Sequence, residues 1–165
     1  MTENKTRSFI ARLYVRQDGY DERVGITVST TPSYSGWLKS MRGNDANVKP
    51  VNFRFDFVER KLSEAEERLH FNISCSSATE GYRGARLGES ISGYAGLYQV
   101  AEVEHFWKAE PFNSWEDDQD MQFGIRNHKG WRLGSYSSVN TGHTVLMNTQ
   151  EGDTLTFKAQ VLKWL

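Results

Sequence analysis

The chain has 165 residues, a length that suits one domain with a core large enough to fold without disulfides. Its 20 Lys and Arg residues nearly balance 21 Asp and Glu residues, and the formal net charge of −1 argues against nucleic acid, whose binders carry a basic excess. A single cysteine, Cys75, excludes an internal disulfide, and no apolar run has the length of a signal peptide core or a membrane span. We therefore expect one soluble, cytoplasmic domain over residues 1–165, with residues 1–7 flexible and no transmembrane segment.

Alternation of apolar and polar residues predicts the strands. In 8-SFIARLYVR-16 the apolar side chains occupy every second position, so one face of this segment is hydrophobic. The same alternation marks four later segments: 53–59, 69–75, 121–125 and 155–161. This period is typical of half-buried antiparallel strands. Cys75 lies on the apolar face of its segment, which predicts a buried, unreactive thiol.

One segment has a composition that favours helix. Within 59-ERKLSEAEERL-69, Ser63 and Glu66 have the spacing of a capping box. The segment is short and lies between two predicted strands, so we expect at most a helical turn. The predicted class is therefore all-β.

Glycine-aromatic pairs follow three of the predicted strands. They occur in 19-GYDERVG-25, 81-GYRGARLG-88 and 130-GWRLG-134, and in each the pair is followed by Arg, an aliphatic residue and Gly. This arrangement resembles the β-trefoil superfamily, which includes ricin-B-type lectins, fascins, Kunitz-type inhibitors and fibroblast growth factors. The resemblance covers nearly the whole chain and implies three structural repeats, the first with an insertion within residues 30–50.

A second, local resemblance concerns 123-FGIRNHKGW-131 and the tail 151-EGDTLTFKAQVL-162. Both segments are similar to the fungal fruit-body lectins, whose fold is related to the actinoporins. This resemblance implies an antiparallel β-sandwich as the alternative architecture. The resemblance implies one sugar contact in this chain, Asn127. A second contact of that family, a carboxylate, does not carry over, because Leu133 stands at its position.

The sequence offers no arrangement typical of catalysis. The four histidines are scattered, without a metal-binding spacing, and the acidic run 116-EDDQD-120 lacks the ligand order of a calcium loop. We therefore expect a non-enzymatic protein with no catalytic residue, no cofactor and no metal ligand.

Aromatic residues make up 13% of the chain, and several lie in predicted loops near Asn or Asp. Exposed rings beside amide and carboxylate groups suit a sugar, because its CH face stacks on the ring and its hydroxyls form hydrogen bonds. We therefore predict a lectin-like carbohydrate-binding site drawn from Trp37, Trp115, Asp117, Asp118, Asn127, His128, Trp131 and Tyr136.

Two alternative functions remain open at this point. A protein-binding module, such as a protease inhibitor, would use the loop at residues 30–50, since Trp and Tyr dominate protein recognition. A membrane-active, toxin-like protein would follow from the actinoporin-related sandwich. The expected partners are glycans or a protein, and the chain could form a homo-oligomer.

Overall fold

The computed structural model describes residues 3–17, 19–42, 46–116, 120–137 and 144–165. The chain is all-β, with 54% strand and 6% helix, which confirms the predicted class. The strands are β1 Phe9–Gln17, β2 Tyr20–Thr27, β3 Leu38–Ser40, β4 Val48–Pro50, β5 Asn52–Leu62, β6 Glu67–Cys75, β7 Arg86–Glu89, β8 Ala95–Tyr98, β9 Trp107–Pro111, β10 Met121–Arg126, β11 Gly134–Tyr136, β12 Leu146–Asn148, β13 Asp153–Thr154 and β14 Phe157–Trp164. Short 3-10 turns occur at Glu3–Thr6, Pro32–Tyr34 and Thr79–Gly81.

Six strands close into an antiparallel barrel. Around its circumference the order is β1, β14, β10, β9, β6 and β5, and β5 pairs with β1 to complete the ring. Phe9 marks the closure, since it is opposite Trp164 on one side and Phe55 on the other. Closure leaves the barrel strands without free edges. This architecture differs from the two-sheet sandwich that the local resemblance at residues 123–131 implies.

The barrel interior is filled by large apolar side chains. The alternation predicted for β1 is confirmed, because Phe9, Ala11, Leu13 and Val15 are all buried. The Phe9 ring stacks on Phe55 with centroids 4.7 Å apart, and Cys75 is buried as predicted. Aromatic pairs of this kind add to the stabilisation that comes from burying their area.

The remaining strands form three excursions between barrel strands. Strands β2, β3 and β4 lie between β1 and β5, β7 and β8 lie between β6 and β9, and β11, β12 and β13 lie between β10 and β14. Isolated bridges join one excursion to the next, from Trp37 to Gly96 and from Tyr94 to Asn148. The excursions therefore contact one another as well as the barrel.

A glycine with positive φ begins each excursion. The φ angles are 82° at Gly19, 79° at Gly81 and 87° at Gly130, a region that favours glycine. The aromatic residues that follow differ in environment, because Tyr82 is buried whereas Tyr20 and Trp131 are exposed. The three turns thus share a glycine with positive φ but not the burial of their rings.

Residues 59–69 contain no helical turn, which agrees with the expectation of at most one such turn between two strands. Strand β5 continues to Leu62, β6 begins at Glu67, and the two are joined by a tight turn in which the Ser63 amide donates to the Glu66 carbonyl at 2.9 Å. Long-range pairing between β5 and β6 has outweighed the local helix preference.

Within residues 1–7, for which flexibility remains a prediction, the described residues make contacts with the rest of the chain. Among the residues described there, Asn4 is buried and its Nδ2 donates to the Trp115 carbonyl at 2.8 Å. Lys5 Nζ lies 2.9 Å from Glu67 Oε1. These contacts attach the segment to the barrel. In the described part of the chain, no helix has the length and apolar character needed to cross a membrane.

Candidate functional site

A pocket of about 200 Å³ opens where the end of β7 meets the segment leading into β9 and the turn that follows β10. We call it the imidazole pocket. Its wall includes Glu89, Tyr98, His105, Asn127 and His128. With Glu102 and Glu104, which also line it, the pocket combines three carboxylates, a phenol, an amide and two imidazoles.

Asn127 builds the turn that carries His128. Its Oδ1 accepts hydrogen bonds from the backbone amides of Lys129 at 3.0 Å and Trp131 at 2.9 Å. Its Nδ2 donates to both carboxylate oxygens of Glu89, at 3.1 and 3.3 Å. Because this buried side chain already uses its acceptor and its donors, its role is to hold the turn and the carboxylate in place.

Arg86 fixes the segment that carries His105. Its Nη1 donates to the Val103 carbonyl at 2.7 Å, and its Nη2 donates to Asn72 Oδ1 on β6 at 2.6 Å. Phe106 adds a second attachment, since its ring stacks on His70 with centroids 4.3 Å apart. The segment before β9 is thus held to the barrel on both sides of His105.

The two imidazoles meet in the pocket. The rings of His105 and His128 stack with centroids 3.7 Å apart and planes inclined by 11°. Burial lowers the pKa of His128, and the neighbouring His105, Lys129 and Lys108 lower it further, while Glu89 opposes them. The neutral form of His128 is therefore favoured near pH 7.

Glu89 is the pocket carboxylate that hydrogen bonds from Asn127 hold in place. Thr149 Oγ1 donates to its Oε2 at 2.7 Å, in addition to the two bonds from Asn127. His128 Nδ1 lies 3.8 Å from its Oε1. On the same wall, burial raises the pKa of Tyr98, and the negative charge of Glu89 raises it further.

Two of the predicted site residues, Asn127 and His128, line this pocket. Trp131 lies on the same turn and is 45% exposed, with Lys129 Nζ 5.1 Å from its ring centroid, but it does not line the pocket. The sequence analysis missed Glu89 and His105. Neither belongs to a motif, so only the fold brings them together.

Trp115 is in the core, and its prediction as a ligand-stacking residue is wrong. Its exposure is 0%, and its ring packs against Phe123 with centroids 5.5 Å apart. The backbone of Trp115 has a positive φ of 56°, and its carbonyl accepts the hydrogen bond from Asn4. Asp117 and Asp118, also predicted to contact the ligand, lie outside the described residues.

Trp37 and Tyr136 do not line the imidazole pocket and lie at the junction of the three excursions, although the Trp37 ring packs edge-on against Tyr98 of the pocket wall, with centroids 6.4 Å apart. Both are half-buried, and Tyr94 lies between them, with its ring centroid 6.3 Å from Trp37 and 6.4 Å from Tyr136. Trp37 Nε1 donates to the Ser33 carbonyl at 2.9 Å. These rings therefore help to join the excursions.

A polar cleft of about 660 Å³ lies beside β14. Lys158 Nζ is 2.5 Å from Asp21 and 3.6 Å from Asp120, while Arg16 lies 3.4 Å from Asp21. The hydrogen bond from Lys158 is the main cause that lowers the pKa of Asp21. The charges in this cleft are paired with one another.

Within the described ranges, no group of three or more His, Cys, Asp or Glu side chains is placed to hold a metal ion. Comparison with known proteins gives no relative, because no family model, no curated protein and no solved structure matches the chain. The function must therefore be argued from the chemistry of the pocket.

Proposed function

We propose that this protein is a non-enzymatic, lectin-like module that binds one sugar residue of a glycan in the imidazole pocket. The stacked pair of His105 and His128 beside the Glu89 carboxylate is the observation that carries the proposal. Sugar binding requires both an aromatic surface for CH groups and acceptors for hydroxyls, and this pocket supplies both.

The size of the pocket agrees with a small ligand. Its volume of about 200 Å³ is below the roughly 300–1,000 Å³ of pockets for drug-sized molecules. A single pyranose ring matches the smaller volume, with the rest of a glycan extending into solvent. His105 is exposed, so the pocket is open on that side.

The polar atoms of the pocket can accept hydroxyl donors. A carboxylate has about four acceptor positions, and Glu89 receives internal bonds from Asn127 and Thr149, both uncharged. A neutral imidazole adds one nitrogen acceptor, and the lowered pKa of His128 keeps that acceptor available near pH 7. We assign orientation of the sugar hydroxyls to Glu89 and His128.

For the architecture we propose a β-trefoil. The order of barrel strands and excursions along the chain supports it, as does the shared positive φ of Gly19, Gly81 and Gly130. The aliphatic residue of each repeat adds further support, because Val24, Leu87 and Leu133 are all buried. Lectins are among the proteins that this architecture hosts, but the functional argument stands on the pocket.

A protein-binding surface is the second candidate. Tyr34 is 65% exposed on the turn Pro32–Tyr34. Two hydrogen bonds between Ser29 and Ser35, at 2.8 and 3.0 Å, brace the base of that loop. A braced loop that presents tyrosine suits recognition of a protein, because the loop backbone loses little conformational freedom on binding. The membrane-active alternative depended on a sandwich and is not carried further.

A glycan array followed by calorimetry tests the proposal. We expect array binding, and we expect Glu89→Gln or His128→Ala to weaken affinity by about tenfold or more, the scale of one lost charged or polar contact. Tyr34→Ala is the matched control and should leave glycan affinity unchanged. A blank array together with protease inhibition that Tyr34→Ala abolishes would replace the lectin proposal with the second candidate.

A further inference from the structure

Glu89 differs in its charged partners from two other carboxylates of similar exposure in the chain. The side chains of Glu67, Glu89 and Glu110 have similar exposures, at 18%, 21% and 17%. Glu67 pairs with Lys5 and Arg60, and Glu110 pairs with Arg126 and Arg68. For Glu89, the described residues provide no Lys or Arg within ion-pair distance, and only His128 comes near, at 3.8 Å.

The cationic partners lower the pKa of the carboxyl group at the other two sites. Burial raises the pKa of Glu67, but hydrogen bonds from Lys5 and Arg60 overcome it and leave the pKa below its ordinary value. Burial likewise raises the pKa of Glu110, but the hydrogen bond and the positive charge of Arg126 lower it, and the pKa lies below its ordinary value. Withdrawing a carboxylate from water is costly unless a partner compensates it. The donors to Glu89 are instead the uncharged side chains of Asn127 and Thr149. No described Lys or Arg therefore pairs with the negative charge that Glu89 presents to the pocket.

The rest of the pocket wall does not neutralise this charge. It adds two further carboxylates, Glu102 and Glu104, and no Lys or Arg among the described residues that line it. Lys108 and Lys129 lie close enough to lower the pKa of His128, but they do not line the pocket. The residues that line this small cavity therefore include three carboxylates, no Lys or Arg, and several aromatic rings.

We propose that the imidazole pocket selects a sugar with a free, positively charged amine, a hexosamine that is not N-acetylated, whose ammonium group pairs with Glu89. The inference rests on the proposed lectin function and specifies its ligand class. The ammonium supplies the missing counter-charge, and the sugar ring packs against the imidazole pair. A uronic or sulfated sugar is disfavoured, because it would bring a further negative charge to the three carboxylates Glu89, Glu102 and Glu104.

Calorimetric titration of the whole protein near pH 7 tests this inference with matched sugars. The probes are glucosamine and galactosamine, their uncharged parents glucose and galactose, their N-acetyl derivatives, and glucuronic acid. We expect each amine to bind about tenfold more tightly than its parent, the scale of one charge-assisted contact, and N-acetylation to remove that advantage. Glucuronic acid should bind more weakly than glucose.

Glu89→Gln provides the second arm, and Glu64→Gln is its control. Glu64 is exposed on the turn between β5 and β6, so this variant makes the same change of charge away from the pocket. We expect Glu89→Gln to bind amine and parent sugar with equal affinity, and Glu64→Gln to keep the wild-type preference. The wild-type comparison requires no variant, so poor folding of Glu89→Gln would leave the test intact.

The outcomes separate the two proposals. Equal binding of amine and parent sugar by the wild-type protein would overturn the hexosamine inference and leave the lectin function standing. Stronger binding of the N-acetyl derivative than of the amine would have the same meaning. Failure of every sugar to bind would overturn the lectin function, and the inference that rests on it would fall as well.

Discussion

The imidazole rings of His105 and His128 lie face to face, 3.7 Å apart, although they belong to different strand connections. The barrel explains the contact. Strands β9 and β10 pair with Lys108 opposite Arg126, so the residues just before β9 and just after β10 meet at one end of that pair. His105 and His128 occupy those positions, and the imidazole pocket thus results from the pairing register of two strands.

Replacing Asn127 with alanine should destabilise the protein and distort the pocket. The variant removes the Asx-type bonds to the turn and both bonds to Glu89. We expect a loss of about 2–3 kcal/mol in the free energy of unfolding, measured with urea, because a buried polar network loses its central member. Lys129→Ala on the same turn should change it by no more than about 0.5 kcal/mol. Equal effects of the two variants would show that Asn127 does not organise the turn.

Stability should decrease as the pH falls below about 6.5. Burial lowers the pKa of both His70 and His128 from the ordinary value of 6.5, with Lys108 adding to the effect at His70 and His105 adding to it at His128. The unfolded chain therefore binds protons more readily than the folded chain in this range. The contribution of these groups is fully present above about pH 6.5 and is lost as the pH falls through the folded pKa values.

Urea midpoints measured at about pH 7.5 and about pH 5.5 check this prediction. His70→Phe should reduce the difference between them, because it keeps a ring against Phe106 and removes one titrating group. A midpoint that rises on acidification would contradict the assigned direction of the pKa shifts.

The two tryptophans that the sequence analysis placed in one site should behave in opposite ways. Trp115 is in the core, so Trp115→Ala should cost about 3–5 kcal/mol of stability. Trp131 is exposed on a turn, so Trp131→Ala should cost less than about 1 kcal/mol. Thermal unfolding compares the variants, and iodide should quench the fluorescence of Trp131 and spare that of Trp115. A large stability loss in Trp131→Ala would show that the Trp131 ring belongs to the core.

Glycine is required at position 134 because another strand passes close by. A Cβ there would lie 2.6 Å from the Asp153 carbonyl oxygen, which belongs to the backbone of β13. We expect Gly134→Ala to cost at least about 3 kcal/mol, since the strands must separate to admit it.

Gly84→Ala is the matched comparison for this variant. Gly84 has a φ of 84° and open space around its Cβ position, so its substitution carries backbone strain without a clash. That strain should cost about 1–2 kcal/mol. Equal losses in the two variants would mean that the approach of β13 to Gly134 is less restrictive than the structure indicates.

The long barrel strands could be predicted from the sequence and the short excursion strands could not. Strand β1 runs from Phe9 to Gln17 and shows its alternation over several periods. Strand β13 has two residues and β11 has three, too few to display a period of two. The glycine-aromatic pairs did mark where excursions begin, because a turn with positive φ restricts the residue type.

The candidate site could be predicted only in part. Asn127 and His128 were found because they belong to a turn rich in Gly and Asn, whereas Glu89 and His105 become neighbours only when the barrel closes. Trp115 was misassigned for the converse reason, since its polar sequence neighbours indicate a loop although the ring turns inward. Local composition predicts turns, and the identity of the pocket depends on long-range register.

Binding in the imidazole pocket is tested most directly by titrating the protein with glucosamine and following the proton–carbon NMR signals of the histidine rings. We expect the signals of His105 and His128 to shift together and to saturate with one dissociation constant, while the signal of buried His70 stays unchanged. Shifts confined to residues outside the imidazole pocket, or no shift in His105 and His128 at saturating sugar, would contradict this expectation.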